Sequence, residues 1–147
     1  MIVELIVALV AAVGLALVVS KICGLYLVQG ISMLPGLLEG DWVLACRYLW
    51  RKPRVGEVVI LKWNSLPPVL IKRVLARPNE CVPAEVCLAQ CRLPEGHYLL
   101  ASDNSSLRPE YRWVGPVARE QIWGRAVVVV GPHHRIKLIR ALKNQVE

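Results

Sequence analysis

Residues 69–76, VLIKRVLA, decide the fold. Pro67-Pro68 and Pro78-Asn79 bracket the stretch, so it is too short for a stable helix and reads as a strand. In an extended chain Leu70, Lys72 and Val74 share one face, which sets a lysine against an aliphatic wall. Working outward, similar short runs recur at Gly24–Ile31, Trp42–Leu49, Glu57–Trp63, His97–Ser102 and Gln121–Gly131. Turns such as Glu39-Gly40-Asp41 and Pro53-Arg54-Val55-Gly56 separate them. This rhythm predicts a mainly β domain, an antiparallel sheet of barrel-like form. Asp103–Glu120 is the longest irregular stretch, polar and proline-containing, and long ordered loops of this kind often carry function.

The N-terminus is different in kind. Residues 2–20, IVELIVALVAAVGLALVVS, contain a single ionisable side chain, Glu4. As a helix they span roughly 28 Å, close to the hydrocarbon thickness of a bilayer. A cleavable secretory signal is the rival, but it calls for a basic leader, a shorter apolar core and a small-x-small cut site. Here Lys21-Ile22-Cys23 follows the span, so residues 1–22 read as an uncleaved transmembrane anchor whose end Lys21 marks at the interface. Residues 23–133 then make the β-rich domain and residues 134–147 a basic amphipathic C-terminal segment. In HRIKLIRALKNQ (residues 134–145) Ile136, Ile139 and Leu142 recur at helical spacing. A short C-terminal helix is expected there, lying on the bilayer or packed on the domain.

The formal net charge is +7. Arg47, Arg51, Lys52 and Arg54 form one basic group; Arg135, Lys137, Arg140 and Lys143 form another. No nucleic-acid recognition motif accompanies them, and nucleic acid is not expected as a partner. Basic groups on an anchored domain fit anionic headgroups of a lipid bilayer. Counting Lys and Arg around the span favours a cytoplasmic C-terminal domain. Of the five cysteines, Cys23 and Cys46 read as small apolar fillers. Two of Cys81, Cys87 and Cys91 would bridge in an oxidising compartment. Their C-x5-C-x3-C spacing, even with His97 as a fourth ligand, does not match a structural zinc site, so no metal or cofactor is expected.

Ser32 lies in QGISMLPGLLEGDWVL (residues 29–44), in a turn of small residues before a strand. A serine hydroxyl is a poor nucleophile unless an adjacent base takes its proton. Lys72 can be that base only when desolvation keeps it neutral. Taken alone, the two residues favour a turn serine and a snorkelling edge lysine.

Five stretches, taken in order, point the other way. Ser32-Met33-Leu34-Pro35 with Gly40-Asp41 and Val43-Leu44, then Arg54-Val55-Gly56-Glu57-Val58-Val59, Lys72-Arg73-Val74, Asp103-Asn104 with Glu110-Tyr111-Arg112 and Gly115, and Gly124-Arg125-Ala126 resemble the boxes of type I signal peptidases. These are membrane-anchored serine endopeptidases with a Ser–Lys dyad. The resemblance implies that Ser32 attacks the scissile carbonyl and that Lys72 is general base, then general acid to the leaving amine. It implies an oxyanion held by the Ser32 N–H, with Gly30 where relatives add a side-chain donor. Val28, Met33, Leu37, Leu70 and Ile71 match positions that line shallow apolar substrate pockets. Such pockets accept signal peptides of preproteins with small residues before the cut site. Asp103 and Arg112 are expected to pair and brace the loop beside the dyad. The resemblance also puts the catalytic domain on the exoplasmic side, against the charge count.

The same loop departs from the family pattern. Ser102 replaces a glycine, and Arg108 replaces a serine that commonly bonds the lysine amine. Arg108 would depress the Lys72 pKa if it pointed inward, or leave the amine less well oriented if it faced solvent. Ser102 would then supply the missing hydroxyl. Two other readings follow from these changes: a maturation peptidase with few substrates, and an anchored β module that has lost its chemistry.

Overall fold

The computed structural model describes residues 1–48, 51–63, 69–86, 92–132 and 135–139. Helix α1 (Ile2–Ile22) has 21 residues, none of them buried. At about 1.5 Å per residue it is roughly 31 Å long. Apolar on every side, it is long enough to cross a bilayer. Strand β1 (Cys23–Leu27) follows at once, then β2 (Trp42–Arg47), β3 (Val58–Lys62), β4 (Val69–Ala76) and β5 (His97–Ala101). A four-residue helical turn, α2 (Pro109–Arg112), precedes β6 (Trp113–Ala118), β7 (Ile122–Gly131) and β8 (Arg135–Leu138).

All pairings are antiparallel, in the order β1-β2-β7-β3-β4-β5-β6, with β8 added to β7. The mainly β fold expected from the turn spacing is therefore the fold observed. Strand β3 explains how one sheet encloses two cores. Val58, Val59, Ile60 and Leu61 are all buried. Val58 and Ile60 join Val43, Ala45, Ala126 and Val129 on one side. Val59 and Leu61 join Val74, Tyr98, Leu100 and Ile122 on the other. A strand buried on both faces reads as a continuous apolar run, as VVIL does here.

Two expectations change. Residues 103–120 are not irregular throughout, because β6 pairs with β5. Pro116 removes a ladder donor, which an edge strand tolerates. Residues 135–138 form strand β8 where a helix was expected. Ile136 and Leu138 pair with Val130 and Val128, so period-two alternation against β7 prevails over the period-three spacing. The rest of that expected helix, from Arg140 on, lies outside the described residues. So do Cys87 and Cys91, and with them the bridge expected among Cys81, Cys87 and Cys91.

Two further features hold the sheet together. Buried Glu57 accepts from the Tyr48 hydroxyl at 2.5 Å, Arg51 at 2.6 Å and the Arg54 N–H at 3.1 Å, with Arg125 at 3.7 Å. Burial opposes its charge, but the bonds from Arg51, Tyr48 and Arg54 outweigh it and hold the carboxyl below its usual range. Gly124 is required by contact: a Cβ there would meet the Cys46 carbonyl and the Arg47 Cα. Gly124→Ala forces β7 away from β2 and should cost about 1–3 kcal/mol. Thermal unfolding of the full chain in detergent checks this, and an unchanged midpoint would mean the two strands yield freely.

Candidate active site

Residues 28–41 link β1 to β2 and carry Ser32. The Val28 N–H donates to Asp41 O at 2.8 Å and the Gly40 N–H to Val28 O at 3.0 Å, which closes the segment at its base. Gly40 sits at φ +87°, a left-handed conformation open to glycine. Asp41 is fully buried, and its Oδ2 accepts the Leu38 N–H at 2.8 Å. Met33 and Leu37 lie one turn apart, joined by Leu37 N–H to Met33 O at 2.9 Å. Both enter the first core beside Val28, and Ile71 packs on the same cluster, whereas Leu70 packs on the second. Four of the five residues expected at substrate pockets thus cluster together, three of them within the segment that bears Ser32. Ser32 itself is half-buried, and among the described residues its N–H and Oγ make no hydrogen bond. Gly30 contributes only backbone, and its N–H is engaged by Glu39 Oε1 at 3.1 Å.

Lys72 lies mid-strand in β4, opposite Val59, and is 6 % exposed. Its Nζ donates to Ser102 Oγ at 2.8 Å. The Ser102 hydroxyl donates in turn to Tyr111 O at 3.1 Å, which leaves its lone pairs to the amine. Burial pushes the Lys72 amine below its ordinary value, and the Asp103 carboxylate pulls the other way. Ser102 therefore supplies the hydroxyl that Arg108 cannot. Arg108 is exposed, with Glu110 at 3.9 Å, and points to solvent.

The expected Asp103–Arg112 pair does not form. Arg73 grips Asp103 with two bonds of 2.6 and 2.5 Å and also donates to Gly56 O at 2.6 Å. Arg112 donates to the Ser105 carbonyl instead. The register explains the choice: Arg73 pairs with Ala101, two residues before Asp103. Asn104 completes the site. Its N–H donates to Ser32 O at 3.1 Å and its Nδ2 to Ile31 O at 2.9 Å. One loop thus holds the Lys72 amine through Ser102 and the Ser32 backbone through Asn104. Arg73 and Asn104 stand in the sequence only as neighbours of Lys72 and Asp103, with no signal of whom they touch.

No hydrogen bond joins Ser32 to Lys72; residues 102–104 bridge them. Nucleophile–base contacts are often long before substrate binds. Strand β5 covers only Arg73–Ala76 of β4, so Val69–Lys72 keep one edge unpaired among the described residues. A groove of about 1250 Å³ runs from Gly36 and Leu37 past Ser102 and Asp103 to Arg77 and Val82.

The sequence model of the family described as "Signal peptidase, peptidase S26" matches residues 2–86, more than half of the chain. The match takes in α1, the Ser32 segment and Lys72 and ends before Ser102. The chain is also 28% identical over 120 residues to "Mitochondrial inner membrane protease subunit 2" of Saccharomyces cerevisiae, covering 74% of this chain and 68% of that protein.

Asn104→Ala removes one of the two bonds from its residue to the Ser32 turn. A bond of this kind contributes about 0.5–1.5 kcal/mol, so amide hydrogen exchange over residues 31–34 should accelerate roughly two- to tenfold. Exchange in β3 and β7 should stay unchanged. Equal exchange over the turn in both proteins would show that Asn104 does not hold it.

Proposed function

The chain belongs to the signal peptidase family, and on that premise we propose that it is a membrane-anchored serine endopeptidase with Ser32 as nucleophile and Lys72 as general base. The observation that carries this reading is the Lys72 amine itself, buried and bonded to Ser102 on the loop that also holds Ser32. A neutral amine takes the Ser32 proton as Oγ attacks the scissile carbonyl. The Ser32 N–H, without a partner among the described residues, can donate to the oxyanion. The Lys72 ammonium then protonates the leaving amine, and an acyl-Ser32 ester remains. Lys72, neutral again, takes a proton from the water that attacks the ester. It returns that proton to Ser32 Oγ as the acid leaves, which restores the free serine and the neutral amine.

The substrate is an N-terminal signal peptide of a translocated preprotein, with small side chains before the cut. An extended peptide can add through main-chain bonds to the edge of Val69–Lys72 that no described strand covers. Location supports the same reading. Helix α1 anchors the chain, and two apolar rows cross the outward face beside it: Leu27, Trp42, Val130 and Ile136, then Leu25, Leu44, Val128 and Leu138. Most of these side chains are exposed. Such a face fits the lipid surface where a signal peptide emerges, with the domain on the exoplasmic side. A narrower substrate set is the second reading. The yeast relative is named as a subunit of an inner-membrane protease, and the altered loop around Ser102 sets this chain apart from the housekeeping pattern.

Incubating the full chain in detergent with a preprotein tests the dyad. Ser32→Ala and Lys72→Ala should each lower kcat by at least about 10²–10⁴-fold. Equal cleavage by wild type and variants, or none by wild type, rejects the assignment. Cleavage of varied preproteins would count against the narrow reading.

Activity should rise with pH as the amine loses its proton, with a midpoint below that of an ordinary lysine. The Asp103 carboxylate raises the amine pKa, so Asp103→Asn should move that limb to lower pH. Ser102→Ala should cut kcat roughly ten- to a hundredfold through misaimed amine, with KM little changed. Ser102→Thr should restore much of it.

A further inference from the structure

Cys23 and Cys46 close the β1–β2 ladder at the end nearest α1. Expected as separate apolar fillers, they stand directly opposite each other, with Sγ atoms 3.6 Å apart. The ladder geometry favours a bond between them. The Val28 N–H bond to Asp41 O makes that pair a hydrogen-bonded one. Alternating back along the unbroken register places Leu27–Trp42, Leu25–Leu44 and Cys23–Cys46 at non-hydrogen-bonded positions. There Cα atoms approach to about 4.5 Å and side chains lie closest. A disulfide spans Cα separations of about 4.4–6.8 Å, so side-chain rotation suffices and the backbone can stay. Both thiols are half-buried, within reach of solvent, while Cys81 is exposed in another part of the fold.

We propose that Cys23 and Cys46 are a disulfide-forming pair that closes when the domain faces an oxidising compartment. The chemistry is exchange with an external disulfide, either a small molecule or a protein oxidant. One cysteine thiolate attacks a sulfur of that disulfide and releases a thiolate. The other cysteine gives up its proton and attacks the mixed disulfide, releasing the second thiolate. Two protein thiols are oxidised and one external disulfide becomes two thiols. The ring so closed contains residues 24–45, and therefore the whole Ser32 segment. Among the described residues strand β1 is an edge strand paired only with β2, yet it joins the membrane helix to that segment. The bond would fasten it where the anchor pulls. The compartment in this proposal rests on the exoplasmic reading above; the pairing does not.

The test uses the full chain, purified in detergent and equilibrated with reduced and oxidised glutathione. Acid quenching, alkylation of remaining thiols and unreduced peptide mapping follow. A peptide linking Cys23 to Cys46 supports the proposal, as does appearance of an alkylated Cys23 in Cys46→Ser. Alkyl or glutathione groups on both cysteines at every ratio overturn it. The same mapping on native membranes separates the two readings. A link formed with glutathione but absent from membranes contradicts the exoplasmic placement alone; a link in both supports pair and placement together.

Discussion

The desolvation of one amine is the constraint on which the candidate site depends. A lysine within an apolar strand face disfavours its own charged form, and burial of Lys72 draws its pKa down. That arrangement is useful only if nearby charge does not reverse it. Arg73, next in the chain, and Asp103 carry opposite charges close to the amine. Their bidentate bonds pair the two charges with each other on β4 and its neighbouring loop. What reaches Lys72 most directly is a neutral hydroxyl, Ser102, whose own proton is committed to the Tyr111 carbonyl. The amine gains an orienting acceptor without gaining a counter-charge in direct contact.

The fold serves this constraint by burying β3 on both faces. Lys72 lies in register with Val59, which belongs to the second core, while the Ser32 segment is plugged into the first by Met33 and Leu37. The two partners are thus built on different hydrophobic clusters of one sheet. The loop after β5 spans them, with Ser102 on the amine, Asp103 on Arg73 and Asn104 on the Ser32 backbone. Three successive residues perform three separate positioning tasks, so small changes in this loop bear on the site more than changes at its tip. Arg108 illustrates the point: it lies farther along the loop and projects into solvent.

Much of this is legible in the sequence, for identifiable reasons. Turn residues and short apolar runs locate six strands, because Gly and Pro punctuate the chain where it reverses. Strand β6 is hidden because WVGPVA contains a Gly-Pro step that ordinarily argues against a strand. Strand β8 reads as a helix because Ile136 and Ile139 fit a helical period as well as Ile136 and Leu138 fit an extended one. The stretch of β7 that β3 leaves uncovered, and that β8 fills, settles the matter, and it is a tertiary fact. Among side chains, Ser102 is foreseeable as a substitute hydroxyl, since its type and place both suit the task. The partner of Asp103 is not. Motif proximity points to Arg112, whereas cross-strand register, invisible in one sequence, brings Arg73 to the carboxylate.

Lys72 is, on these grounds, a lysine held ready to be neutral. Titrating the full chain with isotope-labelled lysine and following each amine by NMR tests this most directly, with Lys72→Ala identifying the resonance. The Lys72 signal should titrate below the ordinary lysine value of about 10.4, as its burial demands. A Lys72 signal that titrates at or above that ordinary value would contradict a neutral-ready amine and, with it, the role of general base.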